Sequence, residues 1–487
     1  HILKYTGLFG GVQGLNILIG LVRNKFVALI LGPDGMGLVS LFNSTIRLVS
    51  DSTNFGIAMS AVRNVSESIE SGDEERLHRV IGTVRTWSLL TALLGMFLCM
   101  ALSSWLSDWT FSWGDHSLHF VLLSPVVALM AITGGETAIL KGGRHLGALA
   151  VVSVYNMIFA LVCSVPLFYF FGQAGIVPSL FLLALMQCVL TIAYSYKLYR
   201  PSFSFSKQYF KEGGDMVRLG TAFVLAGIFG SGAEFILRSY LNNVAELNVV
   251  GLYNAGFVLT MTYAGMVFSS MEADYFPRLS GVGELGEELN RMVSRQIEVS
   301  LLIISPMLML FMVVLPVMLP LLFSREFLPM MGMMRFATLA MFFRSINMPM
   351  EYIALSRGDS RSYLLLEAAY YMMFLLMAIL GWQWGGLTGT GVALLACTVA
   401  NFMMVLTYVR WRYGYWLSKE VLIYALIQIS LAIMTCCFTF MLTGVGYWLS
   451  GGLMILASLL VSVRILRSKT HLWSSLKNKV YQRFHKE

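Results

Sequence analysis

Long apolar runs, broken by short polar connectors, make up most of the 487-residue chain. A helix that crosses a bilayer needs about 20 consecutive apolar residues. Applied along the chain, this criterion predicts about fourteen transmembrane helices. They lie at residues 5–31, 37–62, 82–107, 118–140, 146–171, 175–196, 218–241, 249–275, 296–323, 329–355, 362–381, 387–409, 421–443 and 447–465. The pattern therefore predicts an all-α, polytopic membrane protein without a soluble domain.

Composition supports the membrane interpretation. Apolar residues make up 57% of the chain and charged residues only 12%, against roughly 25% charged in soluble domains. A soluble protein of this size could not bury so much apolar surface, whereas lipid can cover it. The six cysteines all lie inside apolar runs and lack the spacing of a metal site, so we interpret them as small apolar residues.

Basic residues alternate between connectors and thereby predict the orientation of the chain. If the N-terminus and the connectors after even-numbered spans face the cytoplasm, that side holds all but seven of the 34 lysines and arginines. Positively charged loops stay cytoplasmic, so both termini are predicted to be cytoplasmic. The net charge of +8 is spread over these loops, which favours contact with membrane lipids over binding to nucleic acid.

The chain also contains an internal repeat. Arg23 matches Arg238, and Gly37 matches Gly251, at offsets of about 215 residues. Similar offsets relate Glu136 to Glu351, Tyr155 to Tyr370 and Tyr194 to Tyr408. The repeat predicts two six-helix lobes of the same orientation, related by a pseudo-two-fold axis along the membrane normal, with substrate held between them. The predicted parts are an N-lobe (1–200), a C-lobe (201–415), an extra helical pair (416–466) and a basic amphipathic cytoplasmic tail (467–487).

Several charged residues fall inside predicted spans, where a charge costs at least about 2.5–3.5 kcal/mol unless it has a partner, a cavity or a route to the interface. Seven basic residues lie outside the predicted cytoplasmic set, and all of them except Arg325, which lies in an outer connector, fall inside spans. The seven are Arg23, Lys25, Arg47, Arg238, Arg325, Arg335 and Arg344. Arg47 and Asp51 are four residues apart on one predicted helix, and Glu234 and Arg238 on another, so each pair also fits a structural intrahelical ion pair.

Arginine in a cavity favours an anionic ligand, because the guanidinium group stays charged and binds phosphate oxygens with two parallel hydrogen bonds. We therefore predict a substrate such as a lipid diphosphate, whereas an exporter of cationic drugs should show the opposite bias. The predicted substrate-binding residues are Arg23, Lys25, Arg47, Arg238 and Arg344. The candidate ion-coupling residues are Asp51, Glu234 and Glu351, and Pro349 is a predicted hinge because proline removes a helical hydrogen bond.

No phosphate-binding loop of the Gly-x-x-x-x-Gly-Lys-Ser/Thr type occurs in the sequence. The chain is therefore not expected to use ATP directly, and no cofactor is predicted. Coupling to H⁺ or Na⁺ is the expected energy source.

Particular segments resemble a known family. The first predicted span ends in LVRNKFVALILGPDGMG (residues 21–37), which resembles the first-span signature of O-antigen and related polysaccharide flippases. Other matching pieces are Phe55-Gly56, RLHRVIGT (76–83), GLYNA (251–255) and FPRLS (276–280). The resemblance covers residues 5–415, and the family belongs to the superfamily of multidrug, oligosaccharidyl-lipid and polysaccharide exporters.

This resemblance implies two six-helix lobes, alternating access, and transfer of undecaprenyl-diphosphate-linked oligosaccharide to the periplasmic face of a bacterial inner membrane. It implies as partners the lipid-linked substrate, membrane lipids and the machinery that polymerises lipopolysaccharide chains or sets their length. In the superfamily's peptidoglycan-precursor flippase, first-lobe arginines line the cavity. Arg23 and Arg47 occupy comparable spans, and Lys25 is a looser match.

The sequence is also compatible with two other classes of function. A multidrug or cation antiporter has the same architecture. An integral-membrane polysaccharide-processing enzyme would place histidines or carboxylates in an outer loop, and only the segment with Asp108, Asp115, His116 and His119 comes near that pattern. Loops are generally polar and exposed, so this segment is predicted to be a solvated connector and the chain is predicted not to be an enzyme.

Overall fold

The computed structural model describes residues 2–201, 203, 207–282 and 285–469, and within these ranges the chain forms helices and no strand. The all-α prediction is confirmed. The α-helices are α1 (Ile2–Thr53), α2 (Ile57–Glu70), α3 (Glu74–Ala101), α4 (Ser103–Thr110), α5 (Ser117–Gly142), α6 (Leu146–Phe171), α7 (Ile176–Leu198), α8 (Lys207–Val244), α9 (Leu247–Gly281), α10 (Glu287–Leu322), α11 (Met331–Ser356), α12 (Ser360–Tyr413), α13 (Lys419–Met441) and α14 (Gly444–Lys469).

Nine helical segments in the described ranges are long and apolar enough to cross a membrane. The multi-pass prediction is confirmed, but the predicted number of fourteen spans is not. Two of the nine segments are 53 and 54 residues long, or about 80 Å at 1.5 Å per residue, against about 30 Å of hydrocarbon. Each of the two is interrupted, by a short 3₁₀ turn at Gly172–Gly175 or by non-helical backbone at Gly385 and Gly386.

A single residue produces the first break in the chain. Gly32 has φ 64° and ψ −172°, while the residues on both sides of it are helical. Glycine adopts this conformation without a steric penalty. Pro33 follows at the first position of the new helical stretch, where its fixed φ suits a helix start. The sequence predicted a turn of several residues here, and the structure reduces it to a kink at Gly32.

The second predicted span is wrong in its extent. Residues 37–62 were predicted as one helix, but α1 ends at Thr53 and α2 begins at Ile57. Between them, Phe55 has φ 50° and Gly56 has φ 69°. The apolar pattern continues through the break because α2 buries Ile57, Ala61 and Val65, so hydrophobicity alone does not reveal it.

The described residues form two compact units. Unit 1 takes those within His1–Ala255, Leu319–Leu328 and Glu367–Leu375, and unit 2 takes those within Gly256–Met318, Pro329–Leu366 and Leu376–Glu487. In unit 1, α5 packs against both α3 and α7, and α1 packs against α6. In unit 2, the ends of α9, α11 and α12 surround buried residues that include Tyr275, Ile353 and Val409.

Candidate functional site

A cavity of about 720 Å³ lies inside unit 1. Its walls come from both halves of α1 and from α2, α5, α6 and α7. The kink at Gly32 lets one helix line the cavity twice, with Arg23 before the kink and Arg47 after it. The structure therefore brings together two of the predicted substrate-binding residues.

Three cations line this cavity, namely Arg23, Arg47 and Lys141. The Nε of Arg23 donates to the Ser164 hydroxyl at 3.0 Å, and no carboxylate within the described ranges pairs with Arg23. Arg47 keeps 60% of its side chain exposed. None of the described lining residues is acidic, and the carboxylates that contact Arg47 lie outside the lining.

Lys141 was not among the predicted site residues, because the sequence placed it with the cytoplasmic loops. It stands in the last turn of α5. Thr133 and Thr137 precede it on the same helix at four-residue intervals and also line the cavity. This i, i+4 spacing of polar residues on an apolar helix was the available signal.

Amides and hydroxyls complete the polar part of the wall. The Nδ2 of Asn156 donates to Oε1 of Gln187 at 3.4 Å across α6 and α7. Other uncharged polar lining residues are Asn43, Thr133 and Thr137. Such groups donate and accept hydrogen bonds without adding charge, and they therefore suit the hydroxyls of a sugar.

Arg47 also belongs to a four-residue charge cluster. The predicted intrahelical pairs are both present, with Arg47 Nε 3.7 Å from Asp51 Oδ2 and Arg238 Nη1 2.9 Å from Glu234 Oε2. A third contact joins the pairs, because Arg47 Nη1 lies 3.7 Å from Glu234 Oε2. Arg238, which is 6% exposed, further donates to Asn254 Oδ1 at 3.0 Å. The cluster has formal charge zero and reaches the cavity through Arg47.

Lys25 lies outside the lining of this cavity. Its Nζ donates to the backbone carbonyls of Pro320, at 2.8 Å, and Phe323. These carbonyls terminate α10, where the helix dipole carries partial negative charge and a cation is favourable. This position gives Lys25 a structural role at a helix end.

The predicted residues of unit 2 form no common site in the described part of that unit. Arg344 is half-buried on α11. Glu351 accepts a hydrogen bond from Nδ2 of Asn401 at 2.9 Å. Pro349 lies inside α11, and its carbonyl accepts a hydrogen bond from the Tyr275 hydroxyl at 2.8 Å. The hinge assigned to Pro349 stays a prediction.

A buried ion pair supports the wall of the unit 1 cavity from behind. The Nε of Arg85 lies 2.8 Å from Oε1 of Glu136, and the two side chains are 1% and 3% exposed. Arg85 also donates to the carbonyls of Tyr199 and Arg200 just after α7, at 3.3 and 2.7 Å, and lies 4.4 Å from the centre of the Tyr196 ring. The pair therefore ties α3 and α5 to the end of α7.

The sequence did not reveal this pair. Arg85 was counted with the cytoplasmic loops and Glu136 was a landmark of the repeat, and 51 residues separate them. Two of the neighbours of Glu136, Gly134 and Thr137, line the cavity. The ion pair thus fixes the helix that carries the cavity wall.

The connector between α4 and α5, which is the candidate segment for an enzyme site, is held together by local contacts. The hydroxyl of Ser117 donates to Asp115 and lowers the pKa of that carboxyl. Burial lowers the pKa of His116, whose ring lies 4.0 Å from that of Phe111. No group of three metal-ligating side chains occurs in the ranges that the structure describes. These contacts order the connector and assemble no recognisable catalytic set.

Fold and cavity together define a helical, multi-pass membrane protein with a basic cavity. The chain belongs to the polysaccharide biosynthesis protein family, whose sequence model matches residues 2–282. No curated protein sequence matches the chain. The predicted polysaccharide family is confirmed, and the solved proteins that share its fold are transporters and flippases rather than enzymes.

Solved structures share the fold at low sequence identity. A multidrug resistance MATE family transporter of the MOP superfamily, in an inward-facing conformation, has a TM-score of 0.67 at 17% identity, covering 82% of this chain and 94% of that one. The lipid II flippase MurJ, in an inward closed conformation, has a TM-score of 0.67 at 14% identity, covering 94% and 99%. An outward-facing MATE family transporter has a TM-score of 0.58 at 16% identity, covering 84% and 93%. These similarities support the fold. The ligand has to be inferred from the residues that line the cavity.

Proposed function

We propose that the chain is a flippase that transfers undecaprenyl-diphosphate-linked oligosaccharide from the cytoplasmic to the periplasmic leaflet of a bacterial inner membrane. The observation that carries this proposal is the unit 1 cavity, with Arg23, Arg47 and Lys141 on its wall and no acidic residue among its described lining. Guanidinium and ammonium groups bind phosphate oxygens. The family description, polysaccharide biosynthesis protein, supports an oligosaccharide as the group attached to the phosphate.

The roles within the cavity follow from its chemistry. Arg23 and Arg47 bind the diphosphate, Lys141 attracts it from the end of α5, and the amides of Asn156 and Gln187 bind sugar hydroxyls. The basic connectors favour cytoplasmic termini, and on that basis the substrate enters from the cytoplasmic leaflet. Alternating access then exposes the cavity to the other side, while the lipid tail stays in the bilayer.

Arg47 can couple transport to a proton. Asp51 and Glu234 each lie 3.7 Å from Arg47 and compete with a diphosphate for its guanidinium. When one of these carboxylates binds a proton, the cluster gains one net positive charge and Arg47 is released for the phosphate. Substrate and coupling ion therefore act on the same side chain.

A multidrug or cation antiporter is the second candidate, because MATE transporters share the fold. Cationic drugs require carboxylates or aromatic rings on the cavity wall. The wall described above carries three cations instead, which favours the flippase.

Charge reversal tests the proposal. Arg23→Glu and Arg47→Glu are expected to abolish surface polysaccharide in a host that depends on this gene, while membrane levels of the protein stay normal. Arg410→Glu, at the exposed end of α12, serves as the matched control and should leave polysaccharide unchanged. Normal polysaccharide in both cavity variants would contradict the proposal. Loss of drug resistance with normal polysaccharide would favour the antiporter.

A further inference from the structure

A second cavity, of about 780 Å³, lies inside unit 2. Its walls come from the first half of α10, the segment that joins α12 to α13, the first turn of α13 and the last turns of α14. The sequence places all of these at the cytoplasmic side. None of the residues used in the proposed transport function lines this cavity, so it calls for a separate explanation.

The cavity carries both signs of charge. Arg291 pairs with Glu287 at 3.2 Å along α10. Glu298 is only 7% exposed and faces the same space. Arg295 on α10 and Glu420 on α13 also line it, and in the described part of the chain neither of these two makes an ion pair. A ligand that carries one negative and one positive group would supply a counter-charge to each of these two side chains.

Depth and polarity change together along α10. From Glu287 to Leu302 the lining extends along sixteen residues of α10, with about 22 Å between the first and the last. The charged residues lie in the first part, and Val299 and Leu302 lie beyond them. The exposed Trp416, in the connector before α13, also lines the cavity, and tryptophan is common at membrane–water interfaces. This gradient is the one that a phospholipid presents from its headgroup to its acyl chains.

Neutral hydrogen-bonding groups complete the charged part. The hydroxyls of Ser294 and Tyr415 lie 3.3 Å apart. Tyr415 is fully buried behind this wall and is not part of the lining. Burial raises its pKa to about 12, so its hydroxyl stays protonated and adds no negative charge.

We propose that this cavity binds a phospholipid whose headgroup carries both a phosphate and a primary ammonium, as in phosphatidylethanolamine. Arg295 donates hydrogen bonds to the phosphate, and Glu420 accepts them from the ammonium. An anionic headgroup without an amine leaves Glu420 without a counter-charge. A purely cationic ligand leaves Arg295 without a counter-charge. A zwitterionic lipid supplies a counter-charge to Arg295 and to Glu420 at the same time.

Native mass spectrometry of the full-length protein tests this site. The protein is exchanged into detergent that contains phosphatidylethanolamine, phosphatidylglycerol or phosphatidylcholine. One phosphatidylethanolamine is expected to bind more tightly than either other lipid. Arg295→Gln and Glu420→Gln are each expected to weaken it at least about tenfold, because one hydrogen bond to a charged group is worth roughly 1.5–3 kcal/mol. The controls Arg410→Gln and Glu75→Gln change exposed charges outside the cavity and should leave binding unchanged.

Several outcomes would overturn the proposal. Preferential binding of phosphatidylglycerol would exclude a zwitterionic site. Undiminished binding in both cavity variants would place the lipid elsewhere. Equal competition by soluble phosphoethanolamine would show that the ligand is not a lipid. If the wild type binds none and Lys477→Gln with Lys479→Gln restores binding, the occupant is the C-terminal tail of the same chain. Because surface polysaccharide is scored separately, failure here leaves the flippase proposal intact.

Discussion

Gly37 and Gly251, the two glycines that the sequence repeat matches, pack directly against each other where α1 crosses α9. A Cβ atom on Gly251 would lie 1.9 Å from the carbonyl oxygen of Pro33 and 2.9 Å from the nitrogen of Gly37. A Cβ atom on Gly37 would lie 2.4 Å from the carbonyl oxygen of Leu247. The two backbones approach so closely here that neither position has room for a side chain.

Gly251→Ala is therefore expected to destabilise the protein by about 1–3 kcal/mol, because the clash involves backbone atoms that cannot rotate away. Thermal unfolding in detergent would measure the change. Gly227→Ala is the control, since a Cβ atom there meets nothing within 4 Å and alanine should add roughly 0.5–1 kcal/mol of stability within a helix. Equal stability of the two variants would disprove the close crossing.

The Arg85–Glu136 pair should behave as a buried ion pair. Arg85→Met leaves Glu136 charged and buried, and this is expected to cost about 3–5 kcal/mol. Removing both charges with Arg85→Met and Glu136→Leu should cost less than either single change. Denaturant unfolding of the four proteins provides the double-mutant cycle. Arg63→Ala, in an exposed pair with Glu67, should change stability by about 0.5 kcal/mol or less. If the destabilisation of the double variant equals the sum of the two single ones, the side chains of Arg85 and Glu136 are not coupled.

Lys25→Met should separate stability from substrate binding. The ammonium group donates to two carbonyls at the end of α10, and hydrogen bonds from a charged group contribute about 1.5–3 kcal/mol. The variant should therefore unfold at lower temperature and still bind undecaprenyl diphosphate, measured by quenching of tryptophan fluorescence. Arg23→Gln should show the reverse pattern. If Lys25→Met loses substrate binding while its stability stays unchanged, Lys25 is a substrate-binding residue, as the sequence predicts.

The lowered pKa of Asp359 predicts that the free energy of unfolding decreases in acid. The Ser362 hydroxyl donates to this carboxylate at 2.7 Å and holds its pKa below the ordinary 3.8. Because the pKa is lower in the folded state, the contribution is complete above pH 3.8 and is lost as the pH falls through the folded-state value. The difference in melting temperature between the wild type and Asp359→Asn should be constant from pH 7 to 5 and shrink below pH 3.8. A difference that does not change with pH would show that ionisation contributes nothing.

Features that depend on spacing along one helix could be predicted from the sequence. The pairs Arg47–Asp51 and Glu234–Arg238 follow from i, i+4 spacing, and the all-helical membrane fold follows from the length of the apolar runs. The glycine at position 32 was recognisable as a break because proline and a second glycine follow it closely.

What could not be predicted depends on which helices become neighbours. Arg47 meets Glu234 across 187 positions of sequence, and Lys25 finds its carbonyl partners 295 and 298 positions away. Hydropathy indicates that a helix is buried without indicating what it faces. For the same reason, Arg85 looked like one more loop cation, although its helix carries it to a site that is 1% exposed.

The two faces of α5 have a consequence for how this protein can change over evolution. One side of α5, with Thr133 and Thr137, lines the cavity, while Glu136 on an adjacent side holds the helix through Arg85. Substitutions at 133 and 137 alter the cavity wall and leave this ion pair in place, whereas those at 136 destabilise the helix packing. Homologues that carry different glycans are therefore expected to diverge at positions 133 and 137 and to keep 85 and 136, so new specificities could arise one residue at a time.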